Sequence, residues 1–292
     1  MLARFFIQLI DAQRVWARPL GDFNHRVLVA IFGPLRFLKD FLNGKWLGHP
    51  VHAALSDLPI GIYTLVIVFD ILGLRQAAWI ALLLGILSHA AAAVAGFADY
   101  TDTDGRPRMV ATVHSTVMSL AIVVYIISLV TRSDFGDQTL PIVLSFVGYG
   151  LVTVGAYIGG EVVYTLGNMV NRHAWRFIGT GKWQALDVTD IPEGVPVKAR
   201  AGAQSLVLVR QGDTVHALHE VCAHAGGPLS EGTVVDGCIE CPWHGSRFEL
   251  ASGYKKRGPA TFDQPRYEVR QSASGGWEAL RVTSGSAGVG EH

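Results

Sequence analysis

The residues best suited to chemistry lie close together near the C-terminal end. Cys222-Ala-His224 is followed, after sixteen intervening residues, by Cys241-Pro-Trp-His244, with Gly245 flanking the second pair. Each segment offers one thiolate and one imidazole. A structural zinc site uses the same ligand types, but its usual grammar places two cysteines in one knuckle and two histidines in the other. The mixed pairing suits a cluster of two unlike irons, one taking both thiolates and the other both imidazoles. A zinc-stabilised module stays open as an alternative. The chain has three cysteines, the third being Cys238. An odd number grouped beside histidines argues for metal binding in a reducing compartment rather than for a disulfide framework.

The elements around these pairs read as β structure. From about Trp183 the sequence breaks into short segments rich in β-branched residues and punctuated by glycine and proline: SLVLVRQG, TVHALHEV, GTVVDGCIE, SRFELASG, RYEVRQ and WEALRV. This predicts a small antiparallel β domain of roughly a hundred residues. The last segment, SGSAGVGEH, reads as a flexible tail.

The first half has a different solvent. Half of all residues are hydrophobic, 16% are charged, and the mean hydropathy is +0.31, a composition that points to membrane residence. Four apolar stretches are long enough to cross roughly 30 Å of hydrocarbon as helices: about Leu55 to Leu74, Ala77 to Phe97, Met109 to Val130 and Leu140 to Gly160. Their connections are short, which predicts an up-down four-helix bundle. The fold class is therefore a membrane all-α four-helix bundle followed by a small all-β domain. The expected boundaries are an amphipathic interfacial N-terminal arm at 1–48, a four-helix transmembrane domain at 49–170, a linker at 171–182, the β domain at 183–282 and the tail at 283–292.

Lysine and arginine set the expected orientation. Arg4, Arg14, Arg18, Arg26, Arg36, Lys39 and Lys45 precede the first span. Arg106 and Arg108 follow the second, and Arg172, Arg176 and Lys182 follow the fourth. The opposite side has only Arg75 and Arg132. Both termini and the β domain are thus expected in the cytoplasm, at a bacterial inner membrane. The arm mixes arginines with Phe5, Phe6, Trp16, Phe32, Phe37 and Trp46 in apolar runs too short to span, as an interfacial helix does. No cleaved signal or twin-arginine address is read at the N-terminus. A net charge of +0 and the lack of basic runs argue against nucleic acid as a partner.

The stretches CAHAGGPL (222–229) and CPWHGSRF (241–248), the later Gly258-Pro259-Ala260 and the strands LVLVRQGDTVHALHEV resemble the Rieske family over about residues 183–282. The resemblance implies a [2Fe-2S] cluster with Cys222 and Cys241 on the inner iron and His224 and His244 on the outer iron. It also implies a loop over the cluster at Pro259 and a hydroxyl from Ser246 toward it. Cytochrome bc-type members add a disulfide from the positions of Gly227 and Trp243, and neither residue is a cysteine here, so the ferredoxin type is implied. Cys238 reads as a packed strand thiol, and Trp243 as a shield over the cluster. Phe248 replaces a tyrosine that donates to the cluster in high-potential members, so the potential is expected below that of the bc type. Neutral imidazoles in place of two thiolates still set it above plant-type ferredoxins.

A self-contained Rieske oxygenase is not expected. It needs a further mononuclear iron held by two histidines and a carboxylate, and the only histidine after His244 is His292. The expected activity is one-electron transfer between a membrane redox partner, quinone or haem, and a soluble electron carrier or oxygenase. A redox-sensing or assembly protein is the alternative.

GHPVHAALSDLPIG (48–61) and YIGGEVVYTLG (157–167) resemble a bacterial family of four-helix membrane domains of unknown function, which implies a fold without an activity. His49, His52, Asp57, Asp99, His114 and Glu161 are expected near the cytoplasmic ends of the spans. Ionisable groups at membrane depth are functional candidates. By height along their helices, His89 and His114 are the expected facing pair, with His52 above the bundle. A b-type haem, a quinone or proton-relay site, and plain interhelical hydrogen bonding all remain open for them.

Overall fold

The computed structural model describes residues 2–132, 136–174, 181–273 and 275–282. The middle of the expected linker (175–180) and the expected tail lie outside them. The chain divides into two compact units. One comprises Met1–Gly44 with His49–Asn168, the other the remainder.

The first unit is helical: α1 (Leu2–Ala12), α2 (Arg14–Phe32), α3 (Arg36–Leu42), α4 (Val51–Ile71), α5 (Arg75–Tyr100), α6 (Gly105–Thr131) and α7 (Thr139–Gly160). The last four are long and apolar enough to cross a membrane, α7 continuing through a π-helical turn at Glu161–Thr165. α4 packs chiefly on α5 and α6 on α7, while α5 against α6 and α4 against α7 close the ring. α4 and α6 are thus diagonal partners. α4 begins at Val51 rather than near Leu55, because Pro50 supplies the fixed φ that starts a helix. Glycines clear the closest contacts: a Cβ on Gly148 would lie 2.9 Å from the Tyr125 ring, and one on Gly85 2.6 Å from Tyr63.

One end of the bundle holds a buried ion pair. Arg132, which caps α6, makes two parallel 2.6 Å bonds to Asp70 in the last turn of α4, with side chains 1% and 2% exposed. Arg132 also donates to Ser145 Oγ (2.7 Å), Ser128 Oγ (3.3 Å) and the Pro141 carbonyl (3.3 Å). Each of the three guanidinium nitrogens has at least one acceptor, the kind of pairing that lets a buried charge be tolerated.

The N-terminal arm forms α1 to α3. Ile10 and Ala17 pack on Met109, Val110, Val113, Ile158 and Val162. Lys39 and Asn43 reach Asp102 (2.6 Å) and Asp99 (2.8 Å) at the end of α5. The other side of the arm leaves Phe5, Val15, Phe23 and Phe37 exposed, the amphipathic character the sequence predicts for a headgroup boundary.

The second unit is antiparallel β. One sheet has the order β1 (Gln184–Ala185), β10 (Trp277–Arg281), β9 (Arg266–Gln271), β4 (Thr214–His219), β3 (Gln204–Gln211) and β2 (Val197–Ala201). The other runs β5 (Thr233–Val235), β6 (Cys238–Glu240), β7 (Arg247–Glu249) and β8 (Lys255–Arg257). β3 is buried on both faces, and its two-residue period splits its side chains between two cores. Leu206 and Leu208 join Ile191 and Tyr267 on one side. Val207 and Val209 join Leu218, Ile239, Phe248, Cys222 and Cys241 on the other. The thiol-bearing loops therefore rest on a rigid apolar floor.

Candidate metal centre

Two turns of the same construction carry the four candidate ligands. In the first, the Cys222 N–H donates to the Gly227 carbonyl (2.9 Å) and the Gly226 N–H returns to the Cys222 carbonyl (3.0 Å). In the second, the Cys241 N–H donates to the Ser246 carbonyl (2.9 Å) and the Gly245 N–H returns to the Cys241 carbonyl (3.1 Å). The closing residues Gly226 and Gly245 have φ of 88° and 71°, a region that only glycine enters readily. Each cysteine is thus followed, four residues on, by the glycine that its turn requires. His224 and His244 ride inside these turns.

The turns face each other. Both thiols are buried, Cys222 1% and Cys241 3% exposed. The influence of each thiol on the other holds Cys241 down to about 7 and, together with burial, pushes Cys222 well above the ordinary thiol range. The backbone N–H groups of His224 and Ala225 point at one sulfur, and those of Trp243 and His244 at the other, favouring thiolate. The imidazoles of His224 and His244 meet with ring centroids 4.9 Å apart at 84°. His224 is buried and His244 half-buried. Among the described residues no three His, Cys, Asp or Glu side chains gather to hold a single metal ion. The donor set is a thiol pair and an imidazole pair, which fits a two-iron cluster and not one tetrahedral cage.

Three supports fix this arrangement. Ser246 Oγ, fully buried, accepts the Ala260 N–H at 3.0 Å, so the second turn is tied to the Gly258-Pro259-Ala260 loop. Its own hydroxyl hydrogen stays available as a donor. Gly227 lies where a Cβ would come 2.9 Å from Cys241 Sγ and 3.0 Å from the Trp243 ring, so any side chain there would drive the turns apart. Trp243, 53% exposed, covers this approach from outside.

The third support is Gln264, which the sequence reading misses. Its amide donates to the carbonyls of His219 (2.6 Å) and Val221 (2.7 Å) and accepts the Ala223 N–H (3.0 Å). It is 2% exposed and clamps the whole entry to the first turn. Gln264→Leu keeps the volume but leaves the Ala223 donor buried and unmet. We expect a loss of about 1–3 kcal/mol for that group alone, seen as a lower denaturant midpoint of the β signal in the full-length protein.

Residues 181–268 match the family described as Rieske [2Fe-2S] domain. The anthranilate 1,2-dioxygenase ferredoxin subunit of Burkholderia cepacia is 36% identical over 90 residues, spanning 30% of this chain and 83% of that protein. The chain belongs to the Rieske [2Fe-2S] family. Its Rieske domain is also 39% identical over 70 residues to ferredoxin CarAc of Metapseudomonas resinovorans, covering 24% of this chain and 65% of that one. A solved complex of reduced oxygenase and oxidized ferredoxin in carbazole 1,9a-dioxygenase shares 30% identity over 34% of this chain and 94% of that chain, with a TM-score of 0.31. Residues 48–172 match a second family, described as predicted membrane protein (DUF2231). This is a membrane protein with a ferredoxin-type Rieske domain, and its cofactor is a [2Fe-2S] cluster.

The other sequence-predicted residues fall as follows. Cys238 is a buried, free thiol in β6 of the Rieske domain, 3.7 Å from the Asp236 carbonyl, and burial raises its pKa. Phe248 is fully buried in the core below the turns. Glu161 lies in the π-turn, where Thr165 donates to it at 2.8 Å. His89 and His114 are not the facing pair. His89 instead meets the Tyr63 hydroxyl at 3.2 Å, and His52 faces His114 with centroids 6.2 Å apart. Height along a helix ignores the direction in which a side chain points, and α4 begins early enough to carry His52 into the bundle.

Proposed function

We propose that this protein moves single electrons between a redox group of its membrane part and a soluble partner, through a cluster bound by Cys222 and Cys241 at the inner iron and by His224 and His244 at the outer. The observation that carries this reading is the pair of matched turns that present two thiols side by side and two imidazoles side by side. Bound there, the cluster supplies one-electron chemistry at a potential lifted by its neutral ligands. The protein supplies the rest. Backbone N–H groups stabilise the thiolates, buried Ser246 ties the second turn to the loop that carries Pro259, and half-buried His244 with exposed Trp243 gives a partner a short route to the imidazole side. The names of the curated relatives pair such ferredoxins with dioxygenases, so an oxygenase or its reductase is the class of soluble partner we favour.

The excess of arginine and lysine before α4, between α5 and α6 and after α7 supports an orientation with both termini and the Rieske domain in the cytoplasm of a bacterial cell. The organisation then reads arm 1–48, membrane domain 49–170, linker 171–182, Rieske domain 183–282 and tail 283–292.

Electron paramagnetic resonance of the dithionite-reduced full-length protein tests the reading. A Rieske-type signal integrating to one cluster per chain, bleached on adding an oxidised quinone or a soluble acceptor, is the expected result. Iron-replete protein that gives no such signal and holds zinc instead would overturn it.

A further inference from the structure

His52 and His114 stand on the diagonal helices α4 and α6 and meet across the bundle at 6.2 Å between ring centroids, with planes at 77°. Each is fixed by its neighbour in the ring. His52 Nδ1 bonds the Ala92 carbonyl of α5 at 2.8 Å, and His114 Nδ1 bonds the Gly155 carbonyl of α7 at 2.8 Å. A carbonyl only accepts, so both Nδ1 atoms carry the hydrogen and both Nε2 atoms present a lone pair. Among the described residues neither Nε2 has a hydrogen-bond partner, although both rings are at least half-buried. Two lone pairs held this way on facing rings are a ready pair of donors for an acceptor of electron pairs.

Space has been made for the rings. A Cβ on Gly96 would lie 2.9 Å from His52 Nδ1, and one on Gly159 3.0 Å from His114 Cε1. Both glycines sit one turn beyond the carbonyl that their histidine bonds. An alanine at either place would press on the ring and shift it against its carbonyl.

The chemistry of the pair narrows the occupant. An oxidised quinone offers only acceptor oxygens, and these Nε2 atoms have no hydrogen to give them. A bare metal ion needs three or four protein ligands, and no third His, Cys, Asp or Glu joins the two among the described residues. A haem brings four nitrogens of its own and asks the protein for two axial imidazoles. With metal–nitrogen bonds of about 2.0 Å and a ring radius of just over 1 Å, two collinear imidazoles stand about 6 Å apart between centroids, close to the spacing found.

We propose that His52 and His114 are the axial ligands of a b-type haem in the membrane bundle. This deepens the reading above, since it names the membrane redox group from which the cluster would draw or to which it would deliver its electron. The pair of His89 with Tyr63, whose ring stacks on Tyr125 at 3.8 Å, lies outside the axial site.

The test uses full-length protein purified in detergent from haem-replete cells. We expect about one haem per chain by pyridine haemochrome, with a low-spin bis-imidazole spectrum. His52→Ala and His114→Ala should each lower bound haem at least tenfold or turn it high-spin, while His89→Ala keeps it. Added imidazole should restore the low-spin band in His52→Gly, which separates ligation from misfolding. Protein free of haem but with a full Rieske signal would overturn this proposal and leave the electron-carrier reading standing, as would a quinone found in its place. Haem retained undiminished in both alanine variants would also overturn it. Loss of the Rieske signal with haem present would strike the carrier reading alone.

Discussion

Cys241→Ser should abolish the reduced-state Rieske signal while leaving the helical membrane part folded. The serine hydroxyl is close in size to the thiol, so the turn, closed by backbone bonds from Cys241 to Ser246 and from Gly245 to Cys241, can still form. What is lost is the anion. A thiol held down to about 7 beside two N–H groups is ready to become a thiolate ligand, whereas a serine hydroxyl keeps its proton at neutral pH. The neighbouring Cys222, whose thiol burial pushes upward, then faces a neutral partner. We expect bound iron to fall at least tenfold, measured as iron and sulfide per chain, with the far-ultraviolet helix signal unchanged. Cys238→Ser is the control. Its thiol lies in β6 and contacts the Asp236 carbonyl, so iron content should stay within error of the parent. Full iron retention in Cys241→Ser, or equal loss in both variants, would refute the ligand assignment.

Arg132→Ala should destabilise the membrane unit by about 3–5 kcal/mol, the usual result of leaving one partner of a buried ion pair uncompensated. Asp70 would lose two 2.6 Å bonds at a site where it is 2% exposed. Ser145 and Ser128 would lose their donor at the same time. The effect should be non-additive. Asp70→Asn combined with Arg132→Met removes both charges, keeps most of the volume, and should recover more than half of the loss. Thermal melting of the helix signal in detergent, run as a double-mutant cycle, reads the coupling. Additive losses would show that the two side chains act independently.

Much of this was legible in the chain. The mixed Cys–His pairs pointed to a two-iron cluster as cofactor because residue type and spacing are local properties. Gly245 beside the second pair was noted, whereas Gly226, which closes the first turn in the same way, was passed over although its mark is equally local. The four spans are visible because apolar length is a property of the segment alone. What escaped is non-local. Gln264 has no feature in its own neighbourhood that ties it to Ala223, and only the fold brings them together. The histidine pairing failed for a related reason. Position along α5 and α6 was readable, but the start of α4 was read four residues late, which left His52 outside the bundle, and rotation about each axis depends on packing, which turned His89 toward Tyr63 and His52 toward His114.

The matched turns around Cys222 and Cys241 also bear on how this region takes damage. Each closes through its own backbone on a glycine at positive φ, and each hangs from a different anchor, the first from Gln264 and the second from the Ala260 N–H through Ser246. A Cβ at Gly226 or Gly245 would strain only the turn that glycine closes. Injury here therefore comes in halves: a substitution that loosens one turn leaves the other seated.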